Sequence, residues 1–399
     1  MLPFRLRARN DPPRPEEAKA SAVGPLIAMQ SLGRPVWSAR DVSTLIREGY
    51  AKNPIAYRCV RMIAEAAASV PMVVFDGGER AAPDHPLQRL IDRPNPDQCG
   101  PDLMEAFYGA LQCAGDAYLE AAGEGQPNEL YSLRPDRTLP IPGPRGWPDA
   151  YQYSVDGRTV HLTRRGDGFL PVLHLALLNP GDDYHGLSPL AAAARAVDIH
   201  NASSSWNKAL LDNAARPSGA LVFRNAPTGD RMSADQWERL KAELTDAHSG
   251  PANAGTPMIL EGGLDWKPMA LTPQELDFIE GKHVAAREIA LAFGVPPQLL
   301  GIPGDATYNT YREANAAFWR SAVVPLAGRA ARAISGWLGP LFGGAVIAVD
   351  LDQVPALSVE REALWARLDA ASFLTPGERR RMAGLSAPAP DSNDEVDHG

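Results

Sequence analysis

The sequence predicts an α+β protein: a module of short strands and helices over residues from about 41 to 185, then long helices that enclose a small insert. Three observations carry this expectation. Short β-branched and aromatic runs, punctuated by turn residues, fill the first half. Apolar residues take helical spacing over three long stretches of the second half. Ser/Thr-Pro signatures mark where helices begin.

Residues 1–40 are rich in Pro, Arg, Ala and Ser and have little periodicity, which predicts a flexible arm, made basic by Arg5, Arg7, Arg9 and Arg14. Asn53-Pro54 supplies a cap and a proline for the first turn of a helix through Val60, Ile63 and Ala67, which stops before Pro71. Pro71–Phe75 reads as a strand turned by Asp76-Gly77-Gly78, and a helix follows over about Asp102–Ala114. Strands are expected at Ala117–Ala121, Glu129–Leu133 and Val172–Leu177. Tyr151–Val155 and Arg158–Leu162 flank Asp156-Gly157, the strongest hairpin signal in the chain.

From Gly186 the pattern changes. Ser188 and Pro189 open a long helix to about Ala215, with Leu190, Ala194, Val197, Trp206, Leu210 and Leu211 along its apolar stripe. Arg216-Pro217-Ser218-Gly219 ends it. A small insert follows: a strand at Ala220–Phe223, a helix opened by the capping box Ser233-x-x-Gln236, and strands near Pro257–Leu260 and Leu264–Met269. Thr272-Pro273-x-Glu275 begins a second long helix striped by Leu276, Ile279, His283, Ala286, Ala290 and Phe293 and stopped at Gly294. A loop from Leu300 to about Asn309 leads to a third helix, reaching about Trp337, that Pro325 should kink or divide. A strand at Ala345–Leu351 and helices near Val359–Ala371 and Thr375–Ala383 complete the fold, before an acidic tail from Ala387 to Gly399.

Composition narrows the function. The chain has 399 residues, 45% of them hydrophobic, enough for a substantial core, and a net charge of -9. A protein that grips duplex DNA carries a basic footprint, and none stands out here. Cys59, Cys99 and Cys113 are odd in number and far apart, which fits a reducing compartment and no disulfide framework. The N-terminal arginines are followed by Pro and charge where a secretory signal needs an apolar run. The least charged stretch, Ala333–Val349, is short for a membrane span and holds Gly336, Gly339, Pro340, Gly343 and Gly344, so a soluble protein is expected.

Catalytic motifs do not appear. Gly281-Lys282 has Leu276 where a phosphate loop needs its first glycine, and it falls inside a helix. Ser188 lies in half a nucleophile elbow, but Leu190 replaces the second glycine, and a helix cap explains it better. Asp182, Asp183 and His185 form an acid–histidine cluster in a Pro/Gly turn, where Asp is common for backbone reasons and no partnering ligand spacing supports a metal. His283, on an apolar face without a paired nucleophile, fits a core or interface histidine.

Five stretches together resemble the portal, or head-to-tail connector, family of long-tailed phages and phage-derived gene transfer agents. They are Asn53–Glu65 with Ala68-Ser-Val-Pro71; His85-Pro-Leu-x-x-Leu90 with Arg93-Pro-Asn-Pro96; Tyr184-His-Gly-Leu-Ser-Pro189; Ile289-Ala-x-x-Phe-Gly-Val-Pro-Pro-x-Leu-Leu-Gly301; and Leu374-Thr-Pro-Gly-Glu-Arg379 with Gly384-Leu385. The fourth is the most specific, and the five occur in the family's order.

The resemblance implies a portal fold on the element order above. The wing would be 41–186, the stem helices 187–216 and 272–298, and the clip insert 217–271. The tunnel loop would be 299–311, a long kinked wing helix with its strand 312–351, and a short helical crown 352–386. It implies a ring of about twelve subunits, closed by a head-to-tail contact. That ring would sit at the head–tail vertex of a virion or gene-transfer-agent particle, assembled in the bacterial cytoplasm. Double-stranded DNA would pass through without sequence specificity, and terminase, then a head–tail adaptor, would dock on the clip. The major capsid protein would surround it. No catalysis, cofactor, metal or membrane is implied.

By the same resemblance, Gly301, Gly304, Asp305, Thr307, Tyr308, Asn309 and Arg312 are expected at the channel. The two glycines give the loop backbone freedom, while Thr307 and Asn309 equally fit caps of the next helix. Trp237, Leu264 and Trp266 are clip contact candidates or the core of the insert. Trp206, Ile279 and His283 are stem interface candidates. Two rivals stand beside this reading: a ring-forming adaptor or capsid component, and a particle-associated hydrolase with a scattered site.

Overall fold

The computed structural model describes residues 37–39, 41–144, 146–212, 219–223, 238, 264–268, 278–303 and 308–383. A short helix α1 (Val42–Thr44), capped by the Asp41 side chain, runs into a π-helical turn, Leu45–Tyr50. Helix α2 (Pro54–Ala68) follows, then strands β1 (Met72–Asp76) and β2 (Glu79–Arg80), helix α3 (Pro86–Asp92) and helix α4 (Gly100–Ala114). Strands β3 (Asp116–Ala122), β4 (Glu129–Leu133), β5 (Thr138–Pro142), β6 (Pro148–Val155), β7 (Arg158–Thr163) and β8 (Val172–Ala176) complete the mixed part. Next come α5 (Pro189–Ala192), α6 (Ala194–Asp212), β9 (Gly219–Phe223), β10 (Leu264–Pro268) and α7 (Phe278–Phe293). The chain continues through α8 (Tyr308–Phe318), α9 (Val324–Leu338), β11 (Val346–Val349), α10 (Ser358–Ala370) and α11 (Pro376–Met382).

The strands form small antiparallel sheets. β11 returns from the far end of the chain to pair with β1, with Met72 opposite Val349 and Phe75 opposite Val346, and β2 pairs on the other side. Gln88 of α3 extends that edge: its Oε1 accepts from Val74 N at 2.9 Å and its Nε2 donates to Met72 O at 3.2 Å. A second sheet runs β4-β3-β8 and a third β5-β6-β7. β9 and β10 pair with each other, Leu264 opposite Phe223 and Trp266 opposite Leu221.

One core joins the early and late parts of the chain. Helix α2 buries Ala56, Cys59, Val60, Ile63, Ala64 and Ala67, the i, i+3, i+4 spacing that lines one helical face. α4 buries Leu103, Phe107 and Leu111 against it, and Leu190, Val197, Ile289, Phe293, Phe318, Ile334 and Leu338 belong to the same cluster. Each such side chain contributes about 1.5–3 kcal/mol on burial, against about 1 kcal/mol for a cap, so packing outweighs capping in holding these helices. Burial pushes the Cys59 and Cys113 thiols up to about 12, which leaves both protonated and unreactive.

Several expectations shift. α4 begins at Gly100 rather than Asp102, because the Asp102 carboxylate reaches back to accept from Cys99 N at 3.2 Å. The helix expected from Pro189 to about Ala215 is broken at Ala193, which ends α5 before α6 starts. The third long helix divides as expected near Pro325, through a π-helical turn at Trp319–Val323, where proline's missing N–H interrupts the ladder. β5 was not foreseen: Pro140 and Pro142 argue against a strand, but β5 lies at a sheet edge, where proline is tolerated. The arm before Trp37, the capping boxes at Ser233 and Thr272, and the tail from Ala387 lie outside the described residues.

Asn53 joins three of these elements. Its Oδ1 accepts from Ile55 N and Ala56 N, both at 3.0 Å, which caps α2. Its Nδ2 donates to His200 Nδ1 at 3.2 Å and to Asn201 Oδ1 at 3.0 Å, both on α6. Asn201 Nδ2 then donates to Glu48 O in the π-helical turn at 2.8 Å. Replacing Asn53 by Ala removes the cap and leaves buried polar groups unpaired. A loss of about 2–4 kcal/mol is expected, read as a lower urea midpoint at fixed protein concentration, with Asn53→Asp intermediate because it keeps the acceptor. Equal stability of Asn53→Ala and the parent would contradict this role.

Candidate functional site

The site is built where the mixed sheets meet the central helices. Gly115, at φ 84°, ends α4 in the left-handed conformation and turns the chain into β3. Its partner is Gly186, just before α5. A Cβ on Gly186 would sit 2.1 Å from Gly115 O, and a Cβ on Gly115 would sit 2.4 Å from Gly186 O, so both positions require glycine. Asp116, almost wholly buried, fastens the same junction. Its Oδ1 accepts from Gly186 N at 2.8 Å and from His174 Nε2 at 2.9 Å, and His185 Nδ1 lies 3.4 Å from Oδ2. His174 stacks on Tyr118 at 4.3 Å between ring centres. The entry to α5 and α6 is therefore set by a backbone-to-backbone contact and one carboxylate.

The residues that suggested other chemistry have local jobs. Asp182 Oδ1 accepts from Tyr184 N at 2.8 Å and His185 N at 3.1 Å, an Asx turn that holds its carboxyl below the usual range. Ser188 Oγ accepts from Ala191 N at 2.9 Å, a helix cap.

Helices α6 and α7 pack against each other, and α7 also packs against α2. Their outward sides stay open. α6 exposes Arg195, Ile199 and Ala202, with half-buried Trp206 one turn further, and α7 exposes Val284, Glu288 and Leu291. Leu291 is 79% exposed, and Leu178, in the segment before α5, is 82% exposed. Apolar side chains this open lie outside the core.

The end of α7 carries the root of the next loop. Gly294, at φ 67°, ends the helix, and Val295 is buried behind it. A 3-10 turn, Pro297–Leu300, is closed by Gly301 at φ 69°. Ile302 then packs with Ala286, Ala290, Leu300 and Ile55. Arg287 Nη2 donates to Pro303 O at 2.6 Å, and Arg287 Nη1 lies 3.6 Å from Glu280 Oε1.

Of the expected site residues, Gly301 sits at this root and His283 is half-buried on α7, its Nδ1 4.0 Å from Glu280 Oε2. Tyr308, Asn309 and Arg312 fall on α8 rather than in the loop, which ends sooner than the 299–311 expectation. Arg312 is exposed. Leu264 and Trp266 are strand residues of β10, and Ile279 opens α7; their side chains lie outside the described residues, as do Trp237, Gly304, Asp305 and Thr307 entirely. Asp116, His200 and Arg287 were missed. Each partners a backbone group or a residue distant in sequence, so only Arg287, four residues after His283 and seven after Glu280, left a spacing signal.

Among the described residues the site is a set of helix faces, a glycine junction and a loop root, with no group of His, Cys, Asp and Glu that could hold a metal ion. A family model described as phage portal protein matches residues 54–384, and the chain belongs to that family. An uncharacterized protein of Rickettsia bellii (strain RML369-C) is 41% identical over 342 residues, 85% of this chain and 88% of that one. Among solved structures, a chain from the neck of an empty gene transfer agent particle, computed with C6 symmetry, has 50% identity and a TM-score of 0.69, covering 89% of this chain and 96% of that one. A chain from the native particle's neck, computed with C12 symmetry, has 48% identity and a TM-score of 0.67 over 89% and 96%.

His200 is buried, and burial first, then the charge of Lys282 on α7, pushes its imidazole below the ordinary 6.5. A histidine held neutral in the fold is protonated first in the unfolded chain as pH falls. Stability is therefore full above that ordinary value and is lost as pH drops through it. Urea midpoints across this range should fall for the parent and stay flatter for His200→Gln. A parent that gains stability toward low pH, with the gain lost in His200→Gln, would contradict the assignment.

Proposed function

We propose that this chain assembles into a closed ring at the neck of a gene-transfer-agent or phage particle and serves as the passage for double-stranded DNA. The observation that carries this reading is the likeness to the gene transfer agent neck subunit, 50% identical over 89% of the chain. C6 and C12 symmetry describe the necks in which the related chains sit, and a head-to-tail contact closed by rotation builds such rings. That contact needs two different faces, which the outward sides of α6 and α7 supply.

In this reading residues 41–186 are the wing, 187–216 and 272–298 the stem, 217–271 the clip, 312–351 the long wing helix with its strand, and 352–386 a short crown. The clip takes terminase during packaging and a head–tail adaptor afterwards, and the major capsid protein surrounds the wing. The segment 299–311 lines the bore. The protein acts by shape and charge, with no reaction of its own. Among the described residues no helix is long and apolar enough to cross a membrane.

The net charge of -9 suits a channel that must let DNA slide. Each Lys or Arg that neutralises a phosphate adds affinity through counterion release, and a ring multiplies it. Thr307→Arg should therefore leave ring assembly intact and slow DNA packaging, most strongly at low salt, with recovery as salt rises. A ring of normal size that packages at the parent rate at every salt concentration would contradict the placement of this segment at the bore.

A further inference from the structure

Pro303 poses a local problem. It has no N–H, so its carbonyl is its only main-chain hydrogen-bonding group. Arg287 takes that carbonyl at 2.6 Å from Nη2, a charge-assisted bond. The same guanidinium turns Nη1 toward Glu280, two turns earlier on α7, at 3.6 Å. One residue before the proline, Ile302 is buried against Ala286 and Ala290. Ala286, Arg287 and Ala290 lie within about one turn of α7. The chain after the 3-10 turn is thus pinned to one patch of α7 at two consecutive residues, one by packing and one by hydrogen bond.

We propose that Arg287 is a positioning residue that latches the root of the 299–311 segment to α7, so that helix and root move as one body. An exposed Glu–Arg pair alone contributes little. The carbonyl bond makes the difference, because a planar guanidinium holds its donors on separate nitrogens in a fixed fork that reaches an acid and a carbonyl at once, whereas an ammonium is a compact point charge with less directional reach. The latch is a claim about this chain's own contacts; its consequence for DNA rests on the reading of 299–311 as the bore.

The test is hydrogen exchange on the assembled full chain. The amides of Gly301 and Ile302 both donate to Pro297 O, and they report whether the root stays closed. In Arg287→Met these amides should exchange about tenfold faster, while the buried Ile289 and Ala290 keep the parent rate. Arg287→Lys, which keeps a donor, should fall between. Unchanged exchange at 301–302 in Arg287→Met, or equal acceleration along the whole of α7, overturns the latch. Packaging by the same variants separates the two claims. Faster root exchange with impaired packaging supports both, and faster exchange with normal packaging supports the latch and counts against the bore reading.

Discussion

The rest of the molecule depends on the primary amide of Asn53. Its oxygen starts α2 and its nitrogen holds α6, through His200 and Asn201, while Asn201 reaches on to the turn before α2. A side chain with both an acceptor and two donors is what this place demands, and Asn supplies them in one plane. Once α2 and α6 are fixed, α7 has a bed to lie on, since it packs against both. The loop root then follows α7. Position is handed from one buried amide to a segment more than two hundred residues later in the chain.

A second constraint is steric. Gly115 and Gly186 approach so closely that neither tolerates a Cβ, and Asp116 draws Gly186 N to itself. At this junction the backbones entering β3 and α5 therefore touch directly, with no side chain between them to slip. Such a joint is stiff, because backbone contact deforms less than a packed side chain that can change rotamer. Two of the three thiols are buried and held protonated.

Much of this was legible in the sequence where local chemistry decides structure. Asn53-Pro54 marked the start of α2, and Asp156-Gly157, with φ of 48° and 78°, turns β6 into β7 as that dipeptide predicts. Thr375-x-x-Glu378 caps α11 reciprocally. What stayed hidden is decided by tertiary context. Pro140 and Pro142 are permitted in β5 only because that strand is an edge, which no local signal reveals. The break at Ala193 lies in a run of alanines with no turn residue. The capping role of Asn53 was readable, but its bonds to α6 span 147 and 148 positions. The spacing of Arg287 from Glu280 was readable, but its bond to Pro303 O was not, because that carbonyl is brought near by the left-handed turn at Gly301.

The proposed ring with a passage for DNA draws on the element order, the two open helix faces and the low affinity expected for DNA. The measurement that tests this most directly is the mass of the purified full chain in solution, with images of the same sample. A closed ring of about twelve copies around a hole that admits a duplex roughly 20 Å across is the predicted result. A monomer or small closed oligomer that also turns over a substrate would contradict it.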